Sequence, residues 1–118
     1  MSISVKRVYE KPSRNDGARI LVDRLWPRRI KKEELAADAW MKDIAPSAAL
    51  RKWFDHDPAK WTGFRQQYKS EIKQSAVLPV LLDYCKNHPT ITLLYSASDE
   101  KHNQALVLQE LLNSLQKK

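Results

Sequence analysis

Two polar segments carry residue types suited to chemistry: Asp23-Arg24-Leu25-Trp26-Pro27-Arg28, and Ser96-Ala97-Ser98-Asp99 through to Asn103. Arg24 and Arg28 each offer a planar fork of donors that matches the oxygens of a phosphate or carboxylate. Ser96, Ser98 and Asn103 add polar side chains, and the backbone amides opening a following helix add the positive end of its dipole. Asp23 and His102 form a candidate pair of proton acceptor and donor. Arg51 joins them if its helix reaches over the site, and Trp26 supplies a flat apolar wall. These residues predict a site for a small anionic ligand, phosphate- or nucleotide-like, with acid–base catalysis by Asp23 and His102 as an available chemistry.

Each residue also has a plainer reading. Asp23 is equally suited to pairing with an arginine or capping a loop. Ser96, Ser98 and Asp99 before a helix are ordinary N-cap residues, and His102 and Asn103 suit a solvated first turn. The run Arg28-Arg29-Ile30-Lys31-Lys32 reads as a solvated loop. His56 and His88 lie in turn sequences and have weaker claims. Of the four tryptophans, Trp26, Trp40, Trp53 and Trp61, three read as core, while Trp26 sits between polar neighbours and reads as a partly exposed stacking surface.

Composition removes several mechanisms. The only glycines are Gly17 and Gly63, so neither a GxGxxG fingerprint nor a GxxxxGK[ST] phosphate loop is present. Cys85 is the single cysteine; it reads as an inert core thiol, and it can form neither an internal disulfide nor a cysteine cluster for zinc. No metal site and no cofactor are expected. The N-terminal Met-Ser-Ile-Ser-Val-Lys-Arg lacks the apolar run of a signal peptide. The longest apolar stretch, Ala76 to Leu82, is far below the ~20 residues of a membrane span. The cytoplasm is the expected compartment, with no membrane partner.

The net charge of +7 is placed unevenly. Residues 1–32 hold ten basic side chains against Glu10, Asp16 and Asp23, and the rest of the chain balances eleven against eleven. Such a bias predicts a basic face that favours anionic partners or simply aids solubility.

These residues need elements to position them. A chain of 118 residues fits one domain, 1–118. Alternation predicts a strand over Ile3–Val8, and Lys11–Gly17 is rich in turn formers. Ile20-Leu21-Val22 reads as a central strand buried on both faces, followed by an irregular stretch over Leu25–Lys32 around Pro27. One helical turn over Lys32–Ala37 and a short extended piece over Ala39–Ile44 come next. Ser47 caps a helix carrying Leu50, Arg51, Trp53 and Phe54. Asp57-Pro58 opens another, whose Trp61, Phe64, Tyr68 and Ile72 form one apolar stripe. A helix over Ser75–Asn87 follows, with Pro79 in its first turn. Ile91–Tyr95 is the clearest strand, and a last helix over Glu100–Leu115 buries Leu108, Leu111, Leu112 and Leu115. This order implies crossover connections, hence a small α/β fold with an at least partly parallel sheet flanked by helices. Ligands of such sheets sit beyond the carboxyl ends of the strands, where both polar segments fall.

The same segments carry a family resemblance. Ile20-Leu21-Val22-Asp23-Arg24-Leu25-Trp26-Pro27-Arg28, Ile44-Ala45-Pro46-Ser47 with Leu50-Arg51, and Thr92-Leu93-Leu94-Tyr95-Ser96-Ala97 through His102-Asn103 and Ala105 resemble the YeaO-like family of small bacterial proteins, in the domain-of-unknown-function 488 group. The likeness runs nearly end to end. The usual pattern has glycine after the Pro-Arg pair, where this chain has Arg29. Longer members of the broader group carry cysteine-histidine-arginine near the last helix, where this chain reads His102-Asn103-Gln104, so no thiol chemistry carries over. The resemblance implies no established activity. Two further readings stand beside the anion site: a nucleic-acid-binding module that uses the basic N-terminal third with Trp26 for stacking, and a non-catalytic protein that binds a partner.

Overall fold

A computed structural model describes residues 2–116. Its strands are β1 (Ser2–Arg7), β2 (Ala18–Leu21), β3 (Ala39–Trp40) and β4 (Thr90–Tyr95), and its helices are α1 (Lys32–Leu35), α2 (Ala48–Phe54), α3 (Trp61–Gln74), α4 (Leu78–Asn87) and α5 (Gln104–Gln116). The four strands form one sheet in the order β1-β4-β2-β3, and every pairing is parallel. All the carboxyl ends therefore lie on one edge. Pairing runs past the strand limits, since Val8 N–H donates to Tyr95 O at 2.8 Å and Val22 N–H to Leu94 O at 3.1 Å.

The alternation of strand side chains sorts the core into two layers. Ile20, Val22, Ile91, Leu93 and Tyr95 face a large cluster supplied by α2, α3, α4 and α5. Tyr68 is completely buried there, and its hydroxyl donates to Ile44 O at 2.7 Å, so the polar tip of a large apolar side chain is satisfied. Leu21 and Leu94 point to the opposite face, where Val8, Leu35, Trp26 and Ile30 cover them. That second layer is thin: one helical turn and a loop, where the sequence suggested helices flanking the sheet.

The second face also absorbs charge. Asp16 is 7% exposed and Arg19 only 4%. Asp16 pairs with Lys6 and Arg19, and the Arg19 guanidinium also donates to Leu35 O. Burial raises the Asp16 carboxyl, but the Ser13 N–H, Lys6 and Arg19 outweigh it and hold it below the usual aspartate range. Two of the ten N-terminal basic residues thereby share one carboxylate. Gly17 permits this crossing: its φ is +65°, and a Cβ there would stand 2.2 Å from the Thr90 carbonyl oxygen.

Several boundaries differ from expectation. The extended piece is strand only at Ala39–Trp40 and becomes a 3-10 turn over Lys42–Ile44. The Asp57-Pro58 segment opens as a 3-10 turn that runs into α3, and α4 starts at Leu78. The last helix starts at Gln104 rather than Glu100. Asp99 first accepts the N–H groups of Lys101 and His102, making a local turn that competes with helix. Asn103 then acts as the N-cap, its Oδ1 accepting Leu106 N–H at 3.1 Å.

Candidate functional site

The carboxyl edge of the sheet opens into a cleft of about 420 Å³. Its walls come from the loop after β2, the turn after β4, the start of α5, and the α2–α3 pair. Asp23 is the joint. It follows the buried Val22, is 7% exposed, and its Oδ2 accepts the Ser96 N–H at 2.9 Å and the Ser96 hydroxyl at 2.6 Å. Its Oδ1 accepts from the Gln104 side-chain amide. One carboxylate thus ties the ends of β2 and β4 to the first residue of α5. Burial raises the Asp23 pKa above its ordinary value, against the lowering effects of Ser96, Gln104 and the nearby Arg51 charge.

Arg24 and Arg28 both line the cleft. Arg28 is exposed and Arg24 half-buried. The Arg24 Nε is fully buried and has no hydrogen-bond partner. Arg24 also lines a second hollow of about 330 Å³, beside Asp43, Ser47 and Glu71. There Glu71 is engaged with the Ser47 N–H and hydroxyl at 2.9 and 2.6 Å, while Ser47 caps α2 through Leu50 N–H. Arg51, on α2, is exposed and lines the main cleft.

Trp26 is half-buried in the cleft wall. Its indole N–H donates to Ile30 O at 2.7 Å, closing the loop, and its ring meets Trp40 edge-on with centroids 5.5 Å apart. Trp40 donates to Asp23 O at 2.7 Å. Arg29 lies in that loop with φ at +64°, the left-handed region that favours glycine.

His102 is half-buried beside the cleft. Its Nδ1 lies 2.9 Å from Asp99 Oδ2, and its ring stands edge-on to Trp61 at 5.3 Å. The Lys101 N–H and then the His102 imidazole hold the Asp99 carboxyl below its ordinary range. With Nδ1 engaged, Nε2 is the ring nitrogen left for another partner.

The structure therefore brings together Asp23, Arg24, Trp26, Arg28, Arg51, Ser96, His102 and Asn103 around one cleft. It does not bring Ser98, which is exposed and outside the lining. Ser96 and Asn103 line the cleft with their side chains already engaged, Ser96 with Asp23 and Asn103 as a cap. Sequence reasoning missed Tyr9, Phe54, Phe64 and Gln104 in the lining. Tyr9 follows β1, and its strand-end position on a parallel sheet was the available signal. Phe54 and Phe64, stacked with centroids 4.3 Å apart, carried only the signal of a core stripe. Among the described residues no helix is long and apolar enough to cross a membrane.

Comparison with known proteins adds the lineage. A family model described as the "Inactive DUF488-N3 subclade" matches residues 2–118. The chain belongs to this DUF488-N3i family. It is 49% identical over 116 residues to the "Uncharacterized protein YeaO" of Escherichia coli (strain K12), an alignment covering 98% of this chain and 100% of that one. It is 37% identical over 111 residues to the "Uncharacterized protein Rv3073c" of Mycobacterium tuberculosis (strain H37Rv), covering 94% and 93%. The "Uncharacterized protein Mb3100c" of Mycobacterium bovis matches to the same extent. No solved structure matches significantly. In this DUF488-N3i member, Arg29 holds a left-handed φ that glycine adopts freely and an L-residue adopts at a cost.

Proposed function

We propose that the cleft binds a small anionic ligand, phosphate- or nucleotide-like, and that it binds without transforming it. One observation carries the reading. Arg24 stands in the cleft wall with a buried guanidinium N–H that no protein atom accepts. That Nε is shielded from solvent, so an anion in the cleft meets the guanidinium through its terminal nitrogens, and Arg24 forms no ion pair among the described residues that would compete for them. Arg28 and Arg51 share the lining, and the only carboxylate among its described residues is Asp23. That carboxylate is held by Ser96 and Gln104, so it neither neutralises the arginines directly nor presents a free oxygen for proton abstraction. The family description as an inactive subclade agrees with a binding role. The aromatic walls supply apolar area for a ligand with a ring as well as an anion.

The test is a thermal-shift and calorimetric titration with inorganic phosphate, phenyl phosphate and a nucleoside monophosphate. At ligand 100-fold above Kd, stabilisation of about 2.7 kcal/mol is expected. Arg24→Ala and Arg28→Ala should abolish it with the fold intact. Equal loss of stability in both variants, or no response to any of the three anions, removes the proposal.

A further inference from the structure

We propose that the carboxyl edge of the sheet also forms a ridge for single-stranded nucleic acid, running from Tyr9 across residues 25–31 to Trp40. The ridge shares Tyr9, Leu25, Trp26, Pro27 and Arg28 with the cleft lining and extends beyond it to Trp40 and Lys42, which line no part of the cleft; it does not depend on the small-anion reading. Tyr9 and Trp40 are 48% and 41% exposed, which leaves ring area open to a partner. They stand at opposite margins of the sheet, because Tyr9 follows β1 and Trp40 ends β3 in the order β1-β4-β2-β3. Three strand spacings of ~4.8 Å put these margins about 14 Å apart.

One loop spans the interval and is fixed at both ends. Tyr9 OH donates to Arg28 O at 3.2 Å. At the other end Trp26 is bonded to Ile30 O and packs its ring against Trp40. Trp40 is itself held by its bond to Asp23 O, so the ring is oriented before anything binds.

Cations alternate with these rings. The Arg7 guanidinium lies 4.9 Å from the Tyr9 centroid and the Lys42 ammonium 5.5 Å from that of Trp40. Arg28, Arg29, Lys31, Lys32 and Lys42 are exposed or partly so and form no ion pair among the described residues. Lys6 and Arg19, by contrast, share the Asp16 carboxylate. Glu10 beside Tyr9, Glu33 and Glu34 of α1, and Asp43 beside Lys42 set four carboxylates against the six cations Arg7, Arg28, Arg29, Lys31, Lys32 and Lys42, which leaves a local excess of two. Rings interleaved with cations suit a chain that alternates a π-face with a phosphate. A duplex hides its base faces, and an acidic polypeptide has charge but little to stack.

The experiment is fluorescence anisotropy of the intact protein with a labelled oligodeoxythymidylate of ~12 nucleotides, within the ~4–16 typical of such surfaces. With three to five phosphates contacted, affinity should fall about 20- to 130-fold between 50 and 200 mM salt. Trp40→Leu should weaken binding about 5-fold or more and Trp40→Phe, which keeps a ring, by much less; near-UV dichroism checks that both remain folded. Arg51→Ala, in the cleft only, should leave oligonucleotide affinity within about 2-fold. The proposal falls if nothing binds at low salt, if duplex of the same length binds as well and Trp40→Leu is silent, or if polyglutamate competes equally. It also falls, while the cleft reading stands, if Arg51→Ala abolishes binding and Trp40→Leu does not.

Discussion

Truncating Asp23 should unlatch the site. The carboxylate accepts two bonds from Ser96 and one from Gln104, and hydrogen bonds to charged groups contribute about 1.5–3 kcal/mol each. Their sum, roughly 5–9 kcal/mol, is opposed by the cost of burying a carboxylate, several kcal/mol per ion; the raised pKa reflects that same burial. Asp23→Ala should therefore cost about 3 kcal/mol, a drop of roughly 10–15 °C in Tm for a domain of this size. Asp23→Asn should cost only about 1 kcal/mol. Its oxygen can stay with Ser96 while Gln104 turns its amide to present Oε1 to the new Nδ2. Urea denaturation followed by tryptophan fluorescence measures both. pH supplies a second readout. Because the folded pKa lies above the ordinary 3.8, the stability contributed by the protonated carboxyl is fully present below 3.8 and is lost as pH rises through the folded value. The gap between wild type and Asp23→Asn should accordingly narrow as pH climbs through that window. An alanine variant losing less than about 1 kcal/mol, or costs alike for alanine and asparagine, would refute the latch and leave Asp23 free to act as a base.

Two further outcomes follow from the same geometry. Arg29→Gly should raise stability by about 0.5–1 kcal/mol, since a left-handed φ costs an L-residue ~1–2 kcal/mol and glycine's looser unfolded chain returns ~0.4–1; a lowered Tm contradicts it. Asp16→Asn should cost about 3 kcal/mol at neutral pH by stranding the buried Arg19. The folded Asp16 pKa is depressed below 3.8, so that contribution is present above 3.8 and lost as pH falls through the folded value. Urea midpoints should then show the gap closing toward pH 3, and a gap constant with pH counts against the ion-pair account.

The strands, the Ser47 cap and the Trp61-Phe64-Tyr68-Ile72 stripe were legible because each depends on local periodicity or on a side chain bonding a few residues away. Their parallel pairing followed from the crossovers that the order of elements requires. The start of α5 was misjudged because Asp99 and Asn103 both fit a cap, and only the observed bonds show that Asp99 closes a turn while Asn103 begins the helix. Asp99 as the partner of His102 was within reach, three residues away on the chain. So was Tyr9, at the end of a strand, but Phe54 and Phe64 were not, since nothing in a core pattern says which of its rings ends at a cleft.

The hexapeptide from Asp23 to Arg28 and the segment from Ser96 to Asn103 were placed at strand ends by sequence alone, because a parallel sheet flanked by crossovers leaves its carboxyl edge as the open one. Only the tertiary structure decided what each residue does there. Asp23 and Ser96 are 73 positions apart, and their hydrogen bond makes a latch of residues that looked like a base and a ligand group. The arginine without an acceptor was decided the same way: sequence counts charges, whereas pairing depends on which neighbours the fold leaves within about 3 Å.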